Sequence, residues 1–106
     1  EVKSVSYVKN GVARFPDSIT KRGLLHLKLL KELVSSGSKA GVLFVCQRQD
    51  PISFQPMWER DPEFSSALLD AYHKGVRINC ITLNVSKSDI TFNKEIAIKL
   101  ENDNKS

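Results

Sequence analysis

An almost unbroken apolar run from Ala40 to Cys46 constrains the fold of this chain more than any other feature. A run of this length, rich in β-branched and aromatic residues, predicts a strand buried on both faces, inside a sheet that carries helices on each side. The run stops abruptly at the polar segment 47–50. Because ligands of such sheets bind beyond the carboxyl ends of the strands, Gln47, Arg48 and Asp50 are candidates for a site. The alternative is that they only mark where the strand reaches the surface.

The start of the chain predicts a β-hairpin. Residues 1–8 alternate polar and apolar side chains as a strand does, although Val5 and Tyr7 fall on one face and Val2 and Val8 on the other. The dipeptide at 10–11, Asn-Gly, is the strongest short hairpin signal, because both central residues of the turn need a positive φ. Residues 12–15 form the return strand of this hairpin.

A helix follows the hairpin. Thr20 or Ser18 can cap its first turn, and Gly37 can end it in the left-handed conformation. Gly23 in the first turn costs about 1 kcal/mol relative to Ala, which indicates either a close backbone approach or tolerance near a helix end. The apolar stripe of this helix consists of Leu24, Leu27, Leu30, Leu33 and Val34, widened by Leu25 and Leu29.

The second half of the chain contains the clearest helix signal. Residues 51–60 contain two prolines and no periodicity, which predicts a loop anchored by Phe54 and Trp58. Asp61-Pro62-Glu63 then begins a helix, because the Asp can cap it and the Pro has no N–H to lose. Its amphipathic positions are Phe64, Ala67, Leu68, Ala71 and Tyr72, and Gly75 closes it.

Strands complete the predicted fold. Residues 76–85 read as one strand and residues 90–100 as one or two more, followed by a polar tail at 101–106. The resulting order, β-β-α-β-α-β-β with one optional further strand, predicts an α/β fold in which a mixed sheet is flanked by two helices. Trp58 in the loop is either folded over the edge of the core or free to stack on a base.

Composition narrows the classes of partner. Net charge is +4, and residues 1–39 carry eight Lys/Arg against three Asp/Glu. A basic half favours an anionic partner such as nucleic acid, or is only a soluble basic surface.

The two cysteines indicate a reducing compartment. Cys46 and Cys80 lie inside predicted strands, where we expect them to be buried free thiols. The sequence holds no membrane span and no secretory signal, and it opens in mid-strand at Glu1, so we expect a fragment.

Glu1 and Lys3 are the strongest candidates for chemistry. Two residues apart, they share one face of a strand, as the acid and amine of a metal-dependent phosphodiesterase must. The carboxylate of Glu1 would hold Mg²⁺ or Mn²⁺, the carbonyl of Val2 would add a ligand while its side chain is buried, and the amine would position water. A solvated strand face gives the same pattern. A second acid is also needed, either Asp17, Asp50 or a residue preceding Glu1.

The first turns of the first helix carry candidate anion contacts. Arg22 and His26 are four residues apart and share a helix face, close to an N-terminus that already favours anions. An exposed helix face with an incidental His is the alternative. His73 lies near a helix C-terminus, where a favourable dipole contact explains it without function.

Several of these segments together resemble the sugar fermentation stimulation proteins. The match runs from residue 1 to about residue 100, over the C-terminal half of that family. The segments that carry it are Glu1-Val2-Lys3-Ser4-Val5, Phe15-Pro16-Asp17-Ser18-Ile19-Thr20-Lys21-Arg22-Gly23, His26-Leu27, Phe44-Val45-Cys46-Gln47-Arg48-Gln49-Asp50, Phe54 with Pro56, Asp61-Pro62-Glu63-Phe64 and Gly75-Val76.

The resemblance implies a restriction-endonuclease-like core similar to the PD-(D/E)xK nucleases, in a DNA-binding protein linked to regulation of sugar utilisation. It makes Glu1 and Lys3 the E-x-K pair of the site and Gln47 a residue near it. It makes Arg22, His26 and Arg48 phosphate or metal-proximal contacts. An OB-fold-like domain and the first elements of the nuclease-like core, with their metal-binding Asp, have no counterpart in residues 1–106.

Three functions therefore remain open. The first is a cytoplasmic DNA-binding protein with a nuclease-like fold, which needs no small-molecule cofactor and is a homo-oligomer or a monomer. The second is an Mg²⁺- or Mn²⁺-dependent nuclease that uses Glu1 and Lys3. The third is a structural or protein-interaction module with an exposed sheet edge.

Overall fold

The structure is a computed structural model that describes residues 1–102. Over these residues the chain forms seven strands and two helices. Their bounds are β1 Val2–Val5, β2 Tyr7–Lys9, β3 Val12–Phe15, α1 Lys21–Ser35, β4 Gly41–Cys46, β5 Ser53–Pro56, α2 Pro62–His73, β6 Arg77–Val85 and β7 Ile90–Ile98. The predicted mixed α/β fold is confirmed. Residues 103–106 of the predicted polar tail lie outside the described residues.

The strands form one mixed sheet in the order β1-β4-β6-β7-β5-β3-β2. β4 lies between β1 and β6 and is parallel to both, so the prediction of an inner strand is confirmed. β2 and β3 form the predicted hairpin, with Asn10 and Gly11 at φ 54° and 77°. β6 and β7 pair antiparallel and are joined by a turn.

The prediction that β4 is buried on both faces is wrong. Its residues alternate, so that Val42, Phe44 and Cys46 are buried whereas Leu43 and Val45 are half-buried. The buried residues of α1 and α2 join these three side chains in one core, so both helices pack against the same face of the sheet. A continuous apolar run does not distinguish a strand covered on two faces from an inner strand covered on one.

Two further segments differ from the sequence-based expectation. Residues 1–8 are not one strand, because the chain turns at Ser6 and places β1 and β2 at opposite ends of the strand order. Residues 53–56 are not loop but β5, parallel to both β3 and β7. Phe54 in β5 is fully buried and stacks on Phe44, with ring centroids 4.3 Å apart. Tertiary pairing therefore outweighs the local signal of two flanking prolines.

The two helices begin at one point. Thr20 caps α1 by accepting from the N–H of Gly23, and Asp61 caps α2 by accepting from the N–H of Phe64. The second carboxylate oxygen of Asp61 accepts from the N–H of Thr20 at 2.9 Å, so one buried side chain joins both helix starts. A Cβ on Gly23 would lie about 3 Å from Thr20 and the Phe64 ring, so of the two explanations for this glycine the structure favours the close approach.

Cysteine and tryptophan side chains serve the core. Cys46 and Cys80 are free, buried thiols, as predicted, and burial raises the pKa of Cys80 to about 12. The Trp58 indole is half-buried and donates to the carbonyl of Leu100 at 3.3 Å, which favours the structural alternative. Across residues 1–102, neither helix has the length and apolarity that a bilayer crossing requires.

Candidate functional site

Glu1 and Lys3 lie beside α1 at an edge of the sheet. β1 is the edge strand, and its residues Lys3 and Val5 are register partners of Phe44 and Cys46 in β4. Register partners share a face of the sheet, so Glu1, Lys3 and Val5 point towards the helix layer. Val5 is buried in the core, whereas Lys3 and Glu1 extend to the rim of the helix layer.

His26 of α1 completes a three-residue cluster with Glu1 and Lys3. The Lys3 ammonium lies 2.8 Å from Nδ1 of His26 and 3.2 Å from a carboxylate oxygen of Glu1. His26 Nδ1 and the same oxygen are 3.3 Å apart. The side chains are 31%, 14% and 21% exposed for Glu1, Lys3 and His26, so the cluster is packed yet reachable from solvent. The hydrogen bond from Lys3 holds the pKa of the Glu1 carboxyl below its usual value.

The direction of α1 brings His26 to this place. Val34, near the helix C-terminus, packs beside Gly75, which precedes β6. α1 therefore starts near the carboxyl ends of β4 and β6 and runs back along them. Leu27 faces the core and is buried between α1 and the sheet. Because His26 precedes it in the helix, His26 points to the side, where it contacts Lys3 of β1.

Arg22 lies one turn before His26, about 6 Å closer to the carboxyl ends of the strands. It follows Lys21 at the N-terminus of α1, and the first turn contains no acidic residue. Cations are unfavourable at this end of the helix dipole, where anions are favoured. No hydrogen bond or ion pair of Arg22 occurs within residues 1–102, and its guanidinium is exposed and available to an anion.

Gln47 and Arg48 follow the end of β4, as predicted, but they do not join the cluster. By register, Gln47 is five residues beyond the level of Glu1, which is about 16 Å along the strand. Arg48 instead pairs with Asp50, at 2.9 and 2.6 Å through its Nε and NH2 groups. The hydrogen bond from Arg48 lowers the pKa of Asp50.

The described residues supply only part of a metal site. The backbone nitrogen and carbonyl of Glu1 bond to β4, so the carbonyl of Val2 points off the open edge of the sheet. It could act as a ligand with the Glu1 carboxylate, but Mg²⁺ and Mn²⁺ prefer about six oxygen ligands. Within residues 1–102, no three His, Cys, Asp or Glu side chains are grouped to hold a metal ion.

Two predictions about this edge do not agree with the structure: the burial of the Val2 side chain, and the supply of a second metal-binding acid by Asp17 or Asp50. The prediction that the Val2 side chain is buried is wrong, since it is 65% exposed on the face away from the helices. Asp50 is committed to Arg48, and no contact of the Asp17 carboxylate with Glu1 occurs in the described part of the chain. Neither acid completes the ligand set.

Sequence reasoning misses the contact between His26 and Lys3. The four-residue spacing of Arg22 and His26 predicts that both lie on one face of a helix. The structure has both residues within α1, so they share a face. Which strand that face meets depends on packing between residues 23 positions apart, and no local pattern encodes it. Chemically, the cluster offers one carboxylate and one amine at a solvent-accessible edge, with an exposed guanidinium a turn away.

Comparison with known proteins agrees with this architecture. The family model described as "Sugar fermentation stimulation protein RE domain" matches residues 1–89. A sugar fermentation stimulation protein homolog of Aquifex aeolicus is 47% identical over 90 residues, which are 85% of this chain and 42% of the relative. The homolog of Desulforamulus reducens is 41% identical over 100 residues, 94% of this chain and 42% of the relative.

A solved structure, Pyrococcus furiosus SfsA in complex with Ca²⁺, matches with a TM-score of 0.89 at 28% identity. The match covers 93% of this chain and 43% of that one. The chain thus spans less than half the length of the relatives it matches, and its sheet and two helices have the nuclease-like fold of SfsA. The chain belongs to the sugar fermentation stimulation protein family.

Proposed function

We propose that this chain binds DNA through the start of α1. The supporting observation is the pair Lys21 and Arg22 at a helix N-terminus that lacks any acidic residue. Two cations there interact unfavourably with the positive end of the helix dipole and weaken the helix. A phosphate bound at this surface would be attracted both by the two cations and by the positive end of the dipole. The planar guanidinium of Arg22 suits phosphate oxygens in particular.

The surface extends in two directions from Arg22. Lys3, held beside His26, lies a turn away towards the start of β1, and Gln47 and Arg48 lie beyond the end of β4. Because Arg48 is already paired with Asp50, Arg22 is the principal phosphate contact that we propose. As the family resemblance implies, the proposed role is regulation of sugar utilisation, in the cytoplasm.

Salt dependence of binding tests this proposal. Fluorescence anisotropy of labelled duplex and single-stranded DNA should show an affinity that falls steeply as salt rises. Arg22→Ala should weaken binding to all sequences and reduce the slope of log K against log salt by about one. Lys39→Ala, which removes the same charge beyond the opposite end of α1, should leave the slope nearly unchanged. Binding that is absent, or insensitive to salt, would count decisively against DNA binding.

A second candidate is an Mg²⁺- or Mn²⁺-dependent nuclease, favoured by the cluster of Glu1, Lys3 and His26 and by the Ca²⁺ bound to the Pyrococcus furiosus relative. Glu1 and the Val2 carbonyl would hold part of the ion, and further ligands must come from outside the described residues. When bound, the ion would supply a Lewis acid for phosphodiester hydrolysis. Because residues 1–102 supply only part of the ligand set, this candidate ranks below DNA binding.

This second candidate has its own test. DNA incubated with the protein and Mg²⁺ or Mn²⁺ should be cut, and Glu1→Gln and Lys3→Ala should each abolish cutting while largely preserving DNA affinity. Calorimetric titration with Mn²⁺ adds a readout that does not need activity. If neither ion produces cleavage of any nucleic acid, the nuclease assignment fails and DNA binding stands alone.

A third candidate is a protein-interaction module or homo-oligomer, favoured by the open edge of β1. Val2 is 65% exposed there, and Leu25, Leu29 and Leu33 form an exposed ridge of α1 at four-residue spacing. Unpaired strand edges and apolar patches favour association. Sedimentation velocity should then show a species larger than the monomer, and Leu29→Glu should return it to the monomer. A monomer at all concentrations would argue against this candidate.

A further inference from the structure

We infer that His26 is a positioning residue for Lys3, and that it does not contact DNA phosphate directly. This inference rests on the proposed site at Glu1 and Lys3 but not on DNA binding. Its basis is the 2.8 Å contact between Lys3 Nζ and His26 Nδ1, the shortest of the three distances within the cluster.

The chemistry of the donors determines how this contact must be arranged. The ammonium of Lys3 is only a donor, so Nδ1 of His26 must be the acceptor and carries no proton. A proton on Nδ1 would instead face the ammonium and would need Glu1, 3.3 Å away, as its acceptor. The shorter contact favours the arrangement with Lys3 as donor.

The geometry places Lys3 between two acceptors. Its ammonium bridges Nδ1 of His26, which lies on α1, and the carboxylate of Glu1, which lies next to β1. Lys has four rotatable side-chain bonds and loses much rotamer freedom when its head is held, so two fixed acceptors greatly restrict where the amine can lie. Lys3 is only 14% exposed, in keeping with an amine held against the protein.

This role differs from that of Arg22 on the same helix. Arg22 is fully on the surface without a partner in the described residues, whereas His26 is engaged through the ring nitrogen that faces β1. The His26 side chain is only 21% exposed, and the ring nitrogen in contact with Lys3 faces β1 rather than solvent. His26 should therefore act on the position of the amine rather than on a phosphate.

Nuclear magnetic resonance of the lysine ammonium groups tests the inference without DNA or metal. A hydrogen-bonded, partly buried ammonium exchanges its protons slowly enough to be seen in ¹⁵N-edited spectra at low temperature. We expect a Lys3 signal in the wild type, its loss in His26→Ala, and its retention in His26→Asn, whose Oδ1 replaces the Nδ1 acceptor. Lys28→Ala, on the exposed side of α1, should keep the signal. Backbone spectra would verify that each variant is folded.

DNA titrations of the same variants supply the second readout. His26→Ala should leave the salt slope of binding unchanged, whereas Arg22→Ala should lower it by about one. The inference is overturned if the Lys3 signal is absent in the wild type, if it survives in His26→Ala, or if it is lost in both His26 variants. A fall of the salt slope in His26→Ala would also overturn it, by making His26 a phosphate contact. A chain that does not bind DNA would remove the proposed function but leave the ammonium result decisive.

Discussion

The two helices of this fold differ in the charges at their ends and in how many of their residues are buried. α2 begins with an Asp cap, a Pro and Glu63 in its first turn, where acidic groups complement the helix dipole, and it ends with His73 in its last turn. α1 has the cap Thr20 but no acid in its first turn and no base in its last turn, and Lys21 and Arg22 stand at its positive end.

Burial separates the two helices in the same way. α2 buries Phe64, Ser65, Leu68 and Ala71, whereas α1 buries only Gly23 and Leu27. α1 also exposes three leucines and presents His26 to the cluster at the sheet edge. The contrast indicates that α2 stabilises the domain, whereas the sequence of α1 is adapted to what it contacts outside the core.

Truncating the core side of α2 is the strongest test of this contrast. Phe64→Ala removes a fully buried ring that packs 5.3 Å from Phe15, and it should lower the free energy of unfolding by about 3–5 kcal/mol. Leu29→Ala on α1, at a position that is 48% exposed, should cost less than about 0.5 kcal/mol. Denaturant unfolding measures both. Equal losses would show that the two helices do not differ as described.

The shared cap of the helices gives the next largest effect. Asp61→Ala removes the cap of α2 and the acceptor of the Thr20 N–H, so it should destabilise the protein by about 2 kcal/mol. Thr20→Ala removes only the α1 cap and should cost about 1 kcal/mol. Thermal and denaturant unfolding can rank the two variants, and a smaller loss for Asp61→Ala would refute the joint role of its carboxylate.

Reversing the charge at the start of α1 should separate stability from binding. Arg22→Glu places a carboxylate where the helix dipole favours it and should raise the free energy of unfolding by about 0.3–1 kcal/mol. The same change should weaken DNA binding. Lys39→Glu, in the loop after α1, alters net charge equally and serves as the control in both assays. A variant that is both less stable and equally able to bind DNA would contradict the idea that α1 is adapted for anions.

The smallest effect concerns the ionic link between the helices. Asp70 on α2 accepts from Lys31 of α1 at 2.9 Å and from Lys74 at 3.1 Å, and these hydrogen bonds lower its pKa below the ordinary 3.8. Because the folded pKa is the lower one, its contribution to stability is present above pH 3.8 and is lost as the pH falls through the folded value. Asp70→Asn should flatten this part of the stability profile, measured by denaturant unfolding at several pH values, and a profile identical to that of the wild type would contradict this role of Asp70.

Local chemistry predicts much of the secondary structure. Asn10-Gly11 marks the hairpin, Asp61-Pro62 marks the start of α2, and Gly75 at φ 104° ends that helix as expected. These signals succeed because a positive φ, a missing N–H or a capping oxygen acts within a few residues. The candidate site is partly predictable for the same reason, since Glu1 and Lys3 must share a face of any strand.

The errors occur where distant segments decide the outcome. Local patterns predict a loop at β5 because two prolines interrupt it, yet Phe54 is buried by pairing with strands far away in sequence. The Val2 side chain is predicted to be buried but is exposed, because the helices lie on the other face of the sheet and β1 is an edge strand. The distance between Gln47 and Glu1 likewise depends on strand register, which places Gln47 beyond the carboxyl end of β4.

The amino-acid sequence by itself determined the Asn10-Gly11 turn, the starts and ends of both helices and the basic character of residues 1–39, because each depends on neighbours along the chain. Only the tertiary structure decided that both helices share one face, that β1 lies at an edge, and that His26 meets Lys3. Those features depend on which apolar surfaces are buried together, a choice made by the whole core and not by any one segment.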